Sequence, residues 1–241
     1  MKQHEAVLLT LERLGGQATL GQLYREVMKV EDCRWATRTP FASIRRIVQT
    51  RPEIFRVRPG LWALVSHKAI REPGSKRARS AEAQAVEQGH SFYQGLLVEI
   101  GNLRGLGTFV PSQDKNKLCV AKPLGELRSM KDLPPFPYPP LLKRLSTVDV
   151  SWFNQRMMPD SLFEVEHSTD IQTSLVKFHD LRDFHARMVI VADRARKGEY
   201  QQKIEREAVQ EVRERVAFYD YEALARDYER EVALARGGFA L

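Results

Sequence analysis

"SLFEVEHST", residues 161–169, alternates like a β-strand but places Glu164 and Glu166 on either side of Val165. Side chains two apart on a strand share a face, so this strand turns two carboxylates, rather than an apolar pair, toward one side of a sheet. Upstream, "TVDVSWF" (147–153) reads as a neighbouring strand, joined through a turn at "NQRMMP" (154–159). With Phe153 paired to Asp160, the antiparallel register sets Asp149 opposite Glu164, so three carboxylates share one face. Buried like charges raise one another's proton affinity and destabilise a fold unless a cation neutralises them. A small set of oxygen ligands suits Mg²⁺, with Mn²⁺ as a substitute, and an ion there can polarise a phosphodiester and activate water. Charged residues are also routine on the solvent face of a strand, so spacing alone leaves a metal site and a solvated face both open.

The surrounding elements give an α/β (α+β) domain. A helix in "SFYQGLLVEIGNLRGLG" (91–107) is followed by a strand in "TFVPS", a Pro-rich crossing at "LPPFPYPP", and the two acidic strands. Beyond them the pattern predicts a helix over about 170–184 with Thr169 as its N-cap, the apolar strand "RMVIVAD", and a Glu-, Arg- and Ala-rich helical tail over the last forty residues. This order suits a mixed sheet flanked by helices. Gly101, Gly105 and Gly107 lack the spacing of a phosphate-binding loop, and Cys33 and Cys119 have no Cys or His companions, which disfavours nucleotide, zinc and disulfide chemistry.

Charge is uneven along the 241 residues. Residues 1–80 hold 16 Lys/Arg against 7 Asp/Glu, and residues 81–241 hold 22 against 24, so the amino-terminal third is where a polyanion would be attracted. A helix over 3–14 ends at Gly15-Gly16, and a second starts at the N-cap Thr19 with Leu20, Leu23, Tyr24, Val27 and Met28 on one face. "TPFASIRRIVQTRP" (39–52) is a third, with Pro40 at its first position; Phe41, Ile44, Ile47 and Val48 face inward, Ala42, Arg46, Gln49 and Thr50 outward, and Ser43 and Arg45 flank them. "EIFRVRPGLWALV" then alternates into a hairpin through Pro59-Gly60. Three helices and a hairpin make the winged helix-turn-helix layout over residues 1–66. In such a domain Ser43, Arg45, Arg46 and Gln49 face a DNA groove and Arg56 and Arg58 of the wing meet the backbone. Winged helices also mediate protein contacts. Residues 67–88 read as a linker whose Lys76 and Arg77 either track phosphates or are simply solvated, and residues 89–241 form the second domain with its tail. No run of about 18 apolar residues is present and acids interrupt the amino-terminal apolar stretch, so a cytoplasmic protein without a membrane span is expected.

The TPxxSIRR helix and the strands ending FRVRPGLWAL resemble the HARE-type helix-turn-helix domain, which is associated with DNA-linked enzymes. The second domain resembles the PD-(D/E)XK nuclease core: "VDVSWF" and "FEVEHST", followed by "DIQTSLVKFHDL", look like its restriction-endonuclease branch with an EVEHS/T signature, a similarity covering roughly 90–210. The resemblance implies that Asp149 and Glu164 are metal ligands and that Glu166 stands where most of the family has lysine, as a base or an additional ligand. Glu99 could supply the acid that some members carry on the first helix, or be a surface acid. Lys177 could turn toward a scissile phosphate or be solvated, and His167 suits packing better than catalysis. The expected activity is Mg²⁺-dependent, type II-like restriction cleavage of double-stranded DNA by a homodimer, one active site to each strand, with the charged tail as a candidate dimer contact. The alternatives are a DNA-binding regulator with a degenerate nuclease fold and a structure-specific repair nuclease.

Overall fold

A computed structural model describes residues 1–67, 76–167 and 169–237, the side chains of 76–85 excepted. The chain divides into two units: Met1–Ala78 together with the chain from Ala225, and Arg79–Leu224.

The first unit holds α1 (Gln3–Arg13), β1 (Gln17–Thr19), α2 (Leu20–Glu26), α3 (Pro40–Thr50), β2 (Ile54–Arg58) and β3 (Leu61–Leu64), with the strands in the antiparallel order β1-β3-β2. Thr19 caps α2 as expected, its hydroxyl accepting the Gln22 amide at 3.0 Å. Thr39 precedes α3 without a side-chain cap, and Pro40 starts the helix. Ile44 and Val48 are buried, and Phe41 stacks on Tyr24 at 4.6 Å. Arg45, Arg46 and Gln49 remain exposed, and Ser43 is half-buried. On the hairpin Arg56 is exposed, with its guanidinium 5.9 Å from the Trp62 ring, and Arg58 is half-buried.

The second unit is a mixed sheet between helices. It contains α4 (Lys76–Leu103), β4 (Gly107–Phe109), the small hairpin β5 (Leu118–Cys119) and β6 (Lys122–Pro123), α5 (Leu124–Leu127), α6 (Pro139–Leu145), β7 (Val150–Phe153), β8 (Pro159–Glu166), α7 (Ile171–Asp180), β9 (Arg187–Ala192), α8 (Lys197–Ile204) and β10 (Val216–Asp220). The five main strands lie in the order β10-β9-β8-β7-β4; β4, β7 and β8 are antiparallel neighbours, and β8, β9 and β10 run parallel. Beneath α7, Ile171, Leu175 and Phe178 join Phe153, Leu162, Met188 and Ile190 in one buried cluster. On the opposite face Trp152 packs on Phe163 and donates its indole N–H to the Leu97 carbonyl of α4 at 3.1 Å.

Four expectations change. The stretch read as a linker is helical from Lys76 onward, because "KRARSAEAQAVEQ" is rich in good helix formers even though it lacks an apolar stripe; the side chains of Lys76 and Arg77 lie outside the described residues. The cap of α7 is Asp170, which accepts the Gln172 amide at 2.8 Å, while Thr169 turns its hydroxyl to Glu166. The tail is not uniformly helical: "VAFYD" adds β10 at the sheet edge before α9 (Tyr221–Ala235). From Ala225, α9 belongs to the amino-terminal unit of its own chain, where Tyr228 is buried against Gly21 so closely that a Cβ there would sit 2.6 Å from its hydroxyl oxygen. Ala225, Tyr228 and Val232 of α9 are therefore buried within their own chain.

Candidate active site

The register of β7 and β8 runs Val150↔Phe163, Ser151↔Leu162 and Trp152↔Ser161, so its continuation sets Asp149 opposite Glu164. The pairing at the turn is shifted: Phe153 meets Pro159, and Asp160 is absorbed in an irregularity that leaves the acidic end unchanged. Alternation along β8 sends Glu164 and Glu166 to the α7 side, where both receive the Ser174 hydroxyl, at 3.1 Å for Glu164 Oε2.

Glu164 is 2% exposed. Lys177 Nζ donates to its Oε2 at 2.7 Å and to the Thr147 carbonyl at 3.1 Å, while Glu164 Oε1 is buried with no hydrogen-bond partner. Burial holds the Glu164 carboxyl well above its usual range; the Asp149 charge adds to the rise and Lys177 opposes it. Burial works against the charged form of Lys177, but attraction to Glu164, Asp149 and Glu166 outweighs it and raises its proton affinity. Glu166, also buried, is held by the hydroxyls of Ser174 and Thr169, with Arg196 Nη1 at 3.9 Å.

Asp149 immediately precedes β7. Its Oδ2 accepts the Val165 amide at 2.8 Å and lies 3.4 Å from His90 Nε2 of α4. Among the described residues one group of three donors converges, His90, Asp114 and Asp149, with ligand atoms within 4.8 Å of one another. Burial depresses the His90 imidazolium, but the hydrogen bond and charge of Asp149, with Asp114 behind it, outweigh burial and raise its proton affinity, while Lys117 opposes the rise.

The structure thus brings Asp149, Glu164, Glu166 and Lys177 to one end of the β7–β8 pair. It does not bring Glu99 there: that residue is half-buried on α4, nine positions beyond His90, about half a rotation around the helix from it. His167 packs beside Tyr93 and Tyr221, whose rings stack on each other at 3.7 Å. His90 and Asp114 escaped sequence reasoning; the available signal was His90 with Gln94 four residues on, two polar side chains on one face of an otherwise apolar helix.

A mixed sheet covered by helices, with an acidic strand and a lysine turned onto it, defines a domain built around a buried carboxylate cluster. The chain belongs to the family described as Type II restriction enzyme NmeDI C-terminal domain, whose model matches residues 71–237, and it is a restriction-enzyme-like protein. No curated protein and no solved structure matches the chain. No helix of the described residues is long and apolar enough to cross a membrane.

Proposed function

We propose that the protein is a Mg²⁺-dependent, type II-like restriction endonuclease of double-stranded DNA, pairing an amino-terminal winged helix-turn-helix domain with a PD-(D/E)XK-like nuclease domain. The observation that carries the reading is the buried Glu164 with the half-buried Asp149 and Lys177 beside it, in a domain of a restriction-enzyme family. The donor set fits a hard divalent ion: the Glu164 oxygen without a partner and the Asp149 carboxylate are oxygen ligands, and a nearby cation would relieve the strain of keeping Glu164 ionised out of water. Mg²⁺, or Mn²⁺ in its place, would be held by Asp149 and Glu164 and would supply Lewis acidity toward the phosphate and a more acidic water.

The protein's own groups then have distinct tasks. Lys177 keeps Glu164 charged and offers its ammonium to the phosphate that approaches. Glu166, positioned by Ser174 and Thr169, accepts the proton of the attacking water. The water oxygen bonds to phosphorus, the ester P–O bond breaks, and the departing oxygen takes a proton from solvent water, while Glu166 returns its own to solvent. Arg46 and Gln49 on the exposed face of α3 read the groove, and Arg56 and Arg58 steady the backbone. A homodimer presents one site to each strand.

Plasmid DNA incubated with the protein and Mg²⁺ should give discrete fragments. Glu164→Ala should lower the cutting rate by more than about 100-fold, beyond the loss typical of residues that merely support a ligand, and DNA binding should stay near normal. Cutting at the wild-type rate by Glu164→Ala would overturn the reading. Nicks confined to branched or damaged substrates would favour a repair nuclease, and binding without cutting would favour a regulator.

A further inference from the structure

We propose that His90, Asp114 and Asp149 form a second divalent-cation position that prefers Mn²⁺ to Mg²⁺, with Gln94 as its fourth donor. The inference shares Asp149 with the site proposed above and so rests on that reading for its role in cleavage, but the donor set is separate.

Three segments supply it: α4 gives His90 and Gln94, the loop after β4 gives Asp114, and the residue before β7 gives Asp149. Their ligand atoms lie within 4.8 Å of one another, a spacing that a single ion can bridge after small side-chain movements. An independent sign of a ligand is Gln94, which is 0% exposed. Its amide nitrogen donates to Asp114 Oδ2 at 2.9 Å and to the Asp149 carbonyl at 3.3 Å, which fixes the amide against the cluster. Its carbonyl oxygen, on that same amide, is buried with no hydrogen-bond partner. A buried acceptor without a donor costs free energy, and turning the amide end for end, as an ion replaces its hydrogen bond to Asp114, would bring that oxygen to the cation.

The counter-charge in the ion-free protein is Lys117, whose ammonium lies 2.9 Å from Asp114 Oδ1 and 3.7 Å from Glu87 Oε1. Lys117 is partly exposed and can swing toward Glu87, leaving Asp114 to an ion. An imidazole nitrogen beside carboxylate and amide oxygens suits borderline transition ions, whereas Mg²⁺ favours oxygen and water. With Asp149 common to both positions, two ions would flank one phosphate, an arrangement that stabilises both the attacking and the leaving oxygen.

The test counts ions in the full-length protein by electron paramagnetic resonance during Mn²⁺ titration, after chelation, without DNA. The wild type should bind two Mn²⁺, of which excess Mg²⁺ readily displaces one. His90→Ala and Asp114→Asn should each retain one, and Glu164→Gln should lose the other. Lys117→Met should melt lower than the wild type in chelator and recover in Mn²⁺, a readout that a salt bridge serving only the fold would not give. Two ions retained by both His90→Ala and Asp114→Asn would overturn the second position and leave the first intact. An ion lost in those variants but not in Glu164→Gln would support the second position and overturn the first. No bound ion in the wild type would overturn both.

Discussion

Arg46, Gln49 and Arg56 of the amino-terminal unit stand in solvent, whereas Glu164, Glu166 and Asp114 of the second unit are withdrawn from it. Exposed charge costs the fold almost nothing and acts at a distance, within the roughly 8–10 Å that salt leaves unscreened at 0.1–0.15 M. Buried charge costs the fold several kcal/mol by general experience and must be met on the spot by a cation or hydrogen-bond donors, as Lys177, Ser174 and Thr169 meet the carboxylates here. The first arrangement is suited to finding a polyanion, the second to holding an ion and a reacting phosphate. Mutations should therefore separate them: changes in the second unit should move stability, and changes on α3 should move binding.

The largest stability effect is expected from Lys177→Met, which leaves Glu164 without its cation. Breaking a buried pair by removing one partner costs about 3 kcal/mol. The cost should depend on pH with a defined sign. Glu164 has a folded-state proton affinity raised above its ordinary 4.5, so its contribution to stability is full below 4.5 and is lost as pH rises through the elevated value. Lys177 limits that elevation, so removing it pushes the value higher and deepens the loss. Urea unfolding in chelator should show a larger deficit at pH 8 than at pH 5. An equal deficit at both would mean that Lys177 supports the fold through its methylenes and not its charge.

Arg46→Ala should behave in the opposite way. An exposed side chain away from any buried network changes stability by no more than about 0.5 kcal/mol. If it contacts a base, DNA affinity should fall by about 1–3 kcal/mol with altered sequence preference; a phosphate contact would instead weaken all sequences alike and flatten the salt dependence by about one. Chemical denaturation and DNA titration on the same preparation check both halves, and unchanged binding would remove α3 as the reading element.

How much of this was legible depended on whether the deciding interactions are local in sequence. The acidic face of β8 was readable because alternation and a short turn fix the register of β7, and the irregularity at Asp160 did not reach Asp149. The α3 faces followed from helical period and Pro40. β10 was not readable: five residues between charged helical stretches carry no signal of the parallel β9 that they pair with. Nor was the His90–Asp114–Asp149 group, whose members come from positions 24 and 35 apart and meet only once α4 lies on the sheet. The amphipathic pattern of α9 was plain, but nothing in it said that its partner lay some two hundred residues earlier in the same chain.

The smallest effect expected is also the one that asks whether the comparison holds at its boundary. Arg45 lies on α3 beside Arg46, yet its guanidinium donates to Glu229 of α9 at 2.6 Å, with 45% of the arginine side chain exposed and 10% of the glutamate. It is half a solvated charge and half a structural one. Glu229→Gln removes the negative partner while keeping size and hydrogen-bonding capacity, so stability should fall by no more than about 1 kcal/mol, the worth of a partly exposed pair. The consequence for DNA distinguishes the two roles. If Arg45 belongs to the reading face, the variant should bind DNA more tightly, because an arginine no longer neutralised by Glu229 is available to a phosphate, and part of the gain should persist at 0.3 M salt, where the effect of charges beyond direct contact is largely screened. If Arg45 only fastens α9, the gain should be confined to low salt, where the extra net positive charge acts through the long-range field alone. DNA titrations at 0.05 and 0.3 M salt, paired with thermal melts, separate these outcomes, and a large loss of stability would place Arg45 with the buried charges of the second unit rather than with the solvated ones of its own.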